Sequence, residues 1–164
     1  MTGSIRIPIW DLEFAWEAPA DLDLQVAWDA ATSSLTCSVS ASDGVPAFPE
    51  PIRLRAALGS SVVGGSACLE TMLSDEPPTT VSWDVPTEAT ERSWHGRGVV
   101  ALELPSRGQP CLVVGALDLA GEPLGIQLDI DSDAILTALT LEFDIAGLAL
   151  SPRATHQLPP VVLL

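Results

Sequence analysis

From one end of the chain to the other, apolar and polar residues alternate with a period of two. That is the spacing of a half-buried β-strand, and no stretch sustains the 3.6-residue period of a helix. In "SIRIPIW" the apolar set is Ile5, Ile7 and Ile9, whereas the next segment places Leu12, Phe14 and Trp16 on one face. Parity therefore slips around Trp10 and Asp11, as a β-bulge would make it. Clean alternations follow. Leu22, Leu24, Val26 and Trp28 oppose Asp21, Asp23 and Gln25; Leu35, Cys37, Val39 and Ala41 form the next set; Ile52, Leu54, Ala56 and Leu58 oppose Arg53 and Arg55. Further strands are predicted at 61–73, 79–85, 98–104, 109–118, 124–131 and 135–145. The spacing predicts one antiparallel all-β domain, residues 1–164, of about eight to ten strands.

Most connections are short and rich in Gly, Pro, Asp and Ser, as in "APAD", "LGSS" and "DSDA". Such residues supply turn geometries, and short links join antiparallel neighbours. Consecutive hairpins favour a meander closing into a barrel over a two-sheet sandwich. Two longer links, 42–51 and 86–98, are positioned to cross between sheets, and 86–93 and 134–139 have room for a helical turn. The tail, 151–164, is broken by prolines and ends in four apolar residues, so it is expected to dock. There is no internal repeat.

Asp129, Asp131 and Asp133 recur at every second position of "IQLDIDSDAILTALTLEFDIAG" and pose a choice between a cation site and a wet strand face. A calcium loop of the EF-hand kind needs glycine at its sixth position and glutamate at its twelfth; here those positions hold Ala134 and Thr140. A site joining these aspartates with Asp21 and Asp23 from another strand start is not excluded by spacing. The alternation itself predicts the polar face of a sheet.

Charge sharpens the picture. The chain has 22 acidic against 7 basic residues, net −15, yet a mean hydropathy of +0.33. That field argues against direct nucleic-acid binding and against anionic membrane surfaces. The apolarity calls for a large interior, or for a surface covered by a partner, a ligand or a second copy. Lys, Asn and Tyr are absent, which fits a GC-rich bacterial genome and removes lysine Schiff-base and tyrosine acid–base chemistry. Cys37, Cys68 and Cys111 cannot all pair within one chain and form no C-x-x-C; with no signal peptide evident, the expectation is reduced core thiols in the cytoplasm.

Candidate chemistry is sparse. His95 and His156 have no Cys or His within four residues, so no metal centre is expected, and neither a G-x-S-x-G elbow nor a phosphate loop is present. No catalytic residue and no cofactor is assigned. The segment "ERSWHGRG", 91–98, bunches an indole, an imidazole and two guanidiniums in what reads as a flexible link. Trp94, His95 and Arg97 are accordingly the candidate binding residues, the alternative being a surface loop whose Trp94 covers the end of the core. Trp16, Trp28 and Trp83 share parity with the apolar faces of their strands.

Three functions fit. The first is a non-catalytic binding module or subunit of a protein complex. The second is a barrel holding a small hydrophobic molecule, lipocalin-like by architectural analogy alone, which as an enzyme would be a cofactor-independent cyclase or isomerase. The third, resting on charge alone, is an acidic decoy of nucleic acid.

Overall fold

The computed structural model describes residues 2–19, 21–43, 47–48, 50–58, 66–71, 79–82, 91–103, 111–116 and 124–164. Among them lie thirteen strands: β1 (Thr2–Arg6), β2 (Glu13–Glu17), β3 (Asp23–Asp29), β4 (Ser34–Ser40), β5 (Ile52–Ala57), β6 (Ser66–Thr71), β7 (Thr79–Ser82), β8 (Glu91–Glu103), β9 (Cys111–Ala116), β10 (Leu124–Asp131), β11 (Leu136–Phe143), β12 (Thr155–Gln157) and β13 (Val161–Leu163). The fold is all-β, a single antiparallel sheet curled into a half-barrel. The alternations carry through. In β5, Ile52, Leu54 and Ala56 are buried and Arg53, Arg55 and Ala57 exposed; in β10, Leu124, Ile126, Leu128 and Ile130 are buried and the residues between them half-buried. No helix among the described residues is long and apolar enough to cross a membrane.

Strand order departs from a meander. Neighbours run β1-β2-β5-β11-β10-β8-β9-β13-β4-β12, with β3 on β4, β6 on β8 and β7 on β6. The hairpins β1–β2, β3–β4, β6–β7, β8–β9 and β10–β11 are local. Between them the chain crosses: the 42–51 link carries it from β4 to β5, which inserts between β2 and β11. Phe48, within that link, pairs with Ala146 and exchanges backbone hydrogen bonds with Gly147 and Leu148 at 3.0 Å each. The 91–98 segment is a strand rather than a flexible link. Residues 91–97 of β8 pair with β10, and residues 98–103 pair with β6, with β9 joining from Val99. Gly98, at the change of partners, has φ +90°, which glycine adopts without steric cost.

The inward faces merge into one core that includes Ile7, Phe14, Leu35, Leu54, Leu102, Leu128, Leu141 and Val161. Each fully buried Leu, Ile or Phe contributes roughly 1.5–3 kcal/mol relative to exposure. The proline-broken tail contributes to it as well. β12 pairs with β4, β13 bridges β9 and β4, and Leu158, Val161 and Leu163 are buried.

Two local expectations change. The parity slip at Trp10 and Asp11 is the turn of the β1–β2 hairpin and not a bulge: both residues have positive φ, Ile7 N–H donates to Leu12 O at 2.8 Å, and Arg6 grips Asp11 through two bonds of 2.6 Å. No helical turn forms at 134–139, where Ala134 (φ 61°) closes the β10–β11 turn and β11 begins. A register shift occurs instead after Asp129: Ala138 faces Asp129 while Leu136 faces Ile130, leaving Thr137 over. Its Oγ1 donates to Asp129 O at 3.0 Å, satisfying a carbonyl beside the irregularity.

Candidate functional site

Residues directly opposite in paired strands share a face, so the register reads out the sheet surface row by row. On the face turned away from the core, one row crosses six strands: Ser4, Ala15, Arg55, Thr140, Gln127 and His95. A second row runs Arg53, Glu142, Gly125, Arg97, and a third runs Ala57, Ala138, Asp129, Ser93. Three of the seven basic residues of an acidic chain, Arg53, Arg55 and Arg97, stand in these rows.

Two of those arginines are neutralised in place. Arg53 Nε donates to Glu142 Oε2 at 2.7 Å, and Arg55 Nη2 lies 3.0 Å from Asp129 Oδ2. Ser93 Oγ and Gln127 Nε2 each donate to Asp129 Oδ1 at 2.7 Å. Exposed ion pairs of this kind are worth about 0–1 kcal/mol each, so their effect is to fix side-chain positions more than to hold the fold.

The same bonds show what the aspartates do within the sheet. Asp129 is engaged by Arg55, Ser93 and Gln127. Asp131 Oδ1 accepts from the backbone N–H of Asp133 and of Ile135, both at 3.0 Å, and so shapes the hairpin turn in which Asp133 is exposed. Asp23 begins β3 and accepts from Gln25 at 3.2 Å. These carboxylates act as the polar face and turn chemistry of a sheet.

A groove of about 700 Å³ opens along this face, lined by Arg53, Arg55, Gln127 and Thr140, by Ala15, Trp16 and Glu17 along β2, and by Thr2 and Glu50. On the opposite face Trp16, paired with Gly3 and with buried Leu54, packs against the core; a Cβ at residue 3 would lie 2.5 Å from Trp16 Cζ2, so glycine lets the indole lie across β1. A second depression of about 330 Å³ shares Glu17, Glu50 and Pro51 with the first and is floored by Leu22, Phe48 and Ile52. Both volumes fall in the range of ligand sites, about 300–1,000 Å³. Beyond the Arg53–Glu142 pair, a notch of about 200 Å³ is lined by His95, Arg97, Gly125, Gln127 and Glu142.

The residues singled out from sequence are divided by the strand that carries them. His95 and Arg97 are exposed beside the notch, whereas Trp94, between them in alternation, is half-buried and packs against the core. The structure brings the first two together with Gln127 and Glu142, and leaves Trp94 on the opposite face. His156 lies on β12, away from this face. Burial pushes the Cys37 thiol up to about 12, which keeps it protonated and poorly nucleophilic at neutral pH. Trp83 and the side chains of Cys68 and Cys111 lie outside the described residues. Sequence reading placed Trp16 on the apolar face of its strand, where it packs against the core, and missed Glu17 and Glu50 as groove residues. The available signal was the outward parity of Arg53, Arg55 and Gln127, but which strands adjoin is a long-range property.

Comparison of the chain with known protein families, with curated proteins and with solved structures found no match.

Proposed function

We propose that this protein is a non-catalytic binding module, a subunit that holds a protein partner on the outer face of the half-barrel. The observation that carries this reading is the groove along β2, β5, β11 and β10, built on rigid strands and bordered by side chains already fixed by ion pairs. His95 and Arg97, across the Arg53–Glu142 pair, extend the same contact face. The inward side chains, by contrast, pack against one another in one cluster, which lends less support to a ligand held inside the barrel. A reduced, buried Cys37 fits residence in the cytoplasm.

The test is native mass spectrometry of the protein isolated from its own cells, beside an Arg55→Ala variant, which alters an exposed side chain of the groove. The wild type should travel in a stoichiometric complex with another polypeptide, and the variant should lose it. A partner-free wild type carrying an excess mass of about a few hundred daltons, a size that fits an enclosed site, would sink the proposal in favour of a small-molecule binder.

A further inference from the structure

Arg6, Arg53 and Arg55 each stand against a carboxylate. Arg97 does not. Neither it nor His95, on the same face of β8, has an ion-pair or hydrogen-bond partner among the described residues. Both side chains are exposed, and both line the notch of about 200 Å³. The row Arg53, Glu142, Gly125, Arg97 accounts for the notch. Every other member of that row carries a long side chain, whereas glycine leaves the backbone of β10 bare between Glu142 and Arg97. A Cβ at residue 125 would lie 3.3 Å from Glu142 Cβ, so a larger residue would crowd that wall and raise the floor. Glu142 is itself held by Arg53 at 2.7 Å, and the Gln127 amide by Asp129 at 2.7 Å. The notch therefore has fixed walls and one guanidinium left without a counter-charge among the described residues.

We infer that the notch is a carboxylate site: one carboxylate of the partner protein lies over Gly125, paired with the fork of the Arg97 guanidinium and accepting from a ring N–H of His95. This deepens, and rests on, the reading of the molecule as a binding module. Gln127 borders both the notch and the groove, so a segment lying along the groove reaches Arg97 without leaving the sheet. Charge selects the group. Glu142 balances Arg53, which leaves Arg97 as a single positive charge, matched by a monoanionic carboxylate. A phosphate monoester carries about −1.5 to −2 at neutral pH and would keep excess charge in the field of a molecule of net −15. The same field repels acidic chains, so the segment recognised offers one carboxylate among neutral or basic residues, on a side chain or at its own C-terminus.

The experiment is a proton–nitrogen NMR titration of the whole chain with sodium acetate, against sodium chloride at equal ionic strength. Acetate should shift the amides of residues 95–97, 125–127 and 142 saturably, and chloride should not. Arg97→Gln should weaken acetate binding by about fivefold, whereas Arg153→Gln, an equal charge change at an exposed position in the turn before β12, should alter it by less than about twofold. Gly125→Ala changes no charge and should weaken binding by about threefold, because its methyl group stands on the floor of the notch. Circular dichroism and melting check that each variant is folded. Two peptides separate the sources of the carboxylate: one with a glutamate side chain and an amidated C-terminus, the other with glutamine in its place and a free C-terminus. Binding of either one with the Arg97 dependence of acetate supports the site and names its source.

Equal losses in Arg97→Gln and Arg153→Gln, with Gly125→Ala unchanged, would mean that acetate senses only net charge, and would overturn the notch. Saturable binding of inorganic phosphate at these residues in place of acetate would overturn the choice of a carboxylate. Absence of any anion binding, while Arg55→Ala still releases a native partner, would overturn the carboxylate site and leave the binding module standing. If no native partner is found either, both fall.

Discussion

Cys37 illustrates how one residue of β4 joins packing to pH. Its side chain is 1% exposed, and the absence of water around the sulfur disfavours the thiolate, lifting the thiol from an ordinary value of 9.0 to about 12. The folded protein therefore keeps its proton over a range in which the unfolded chain has lost it. With a raised folded value, the contribution is complete below about pH 9 and is lost as pH rises toward about 12. The slope approaches about 1.4 kcal/mol per pH unit for one proton. Replacing Cys37 by alanine costs on the order of 1 kcal/mol at neutral pH through lost packing. It also removes the alkaline loss, so the wild-type advantage should shrink above about pH 9 and reverse near about pH 10, well before the folded thiol titrates. Urea denaturation of both proteins across that range reads the difference directly; a gap independent of pH would show that the buried thiol is not what titrates. Core membership was legible here, because Leu35, Cys37 and Val39 alternate with polar residues. The same parity rule placed Asp129 and Asp131 outward, but their partners were not legible. Arg55 reaches Asp129 across β11, and no local spacing encodes that neighbour.

At the scale of elements, β8 is where sequence reading and structure part. The 91–98 stretch is almost wholly polar and contains two glycines, which is the composition of a loop. It is nevertheless extended: Ser93, His95 and Arg97 point outward, with Trp94 inward between them, and pairing with β10 over seven residues supplies what local propensity does not. The alternation was present, but with a single large apolar residue on the inner face it was too weak to outweigh the glycines. Gly98 has its own structural reason, since β8 changes from β10 to β6 and β9 at that point with φ +90°. An alanine there must adopt a conformation that its Cβ opposes, at a cost of about 1–2 kcal/mol. Gly98→Ala should lower the urea midpoint accordingly. Hydrogen exchange should then quicken in both β8–β10 and β8–β9, because one strand serves both ladders. Quickening confined to one ladder would show that the two parts of the strand open independently. The tail presented the converse difficulty. Its three prolines read as an end to regular structure, yet they stand outside two three-residue strands that β4 and β9 template.

Across the whole molecule, fold class was open to sequence reading and strand order was not. Alternation is written locally, whereas the insertion of β5 between β2 and β11 joins Arg53 to Glu142 across 89 residues. The net charge of −15 has a consequence that belongs to no single strand. Mutual repulsion among unpaired carboxylates raises the free energy of the compact state, and the few exposed ion pairs offset little of it. Added salt shortens the Debye length from about 30 Å at 0.01 M to about 3 Å at 1 M, so it screens that repulsion in the folded protein. Stability should therefore rise with sodium chloride, by a few degrees in Tm between about 0.01 and 0.5 M. Screening is nearly complete once the Debye length falls to a few ångströms, whereas a general salting-out effect, which strengthens apolar burial, keeps growing with salt concentration. Thermal melts in sodium chloride from about 0.01 to 1 M separate the two. A Tm that rises and then levels off marks relief of charge repulsion. If Tm climbs steadily to the highest concentration, apolar burial and not the charge of −15 governs the response to salt.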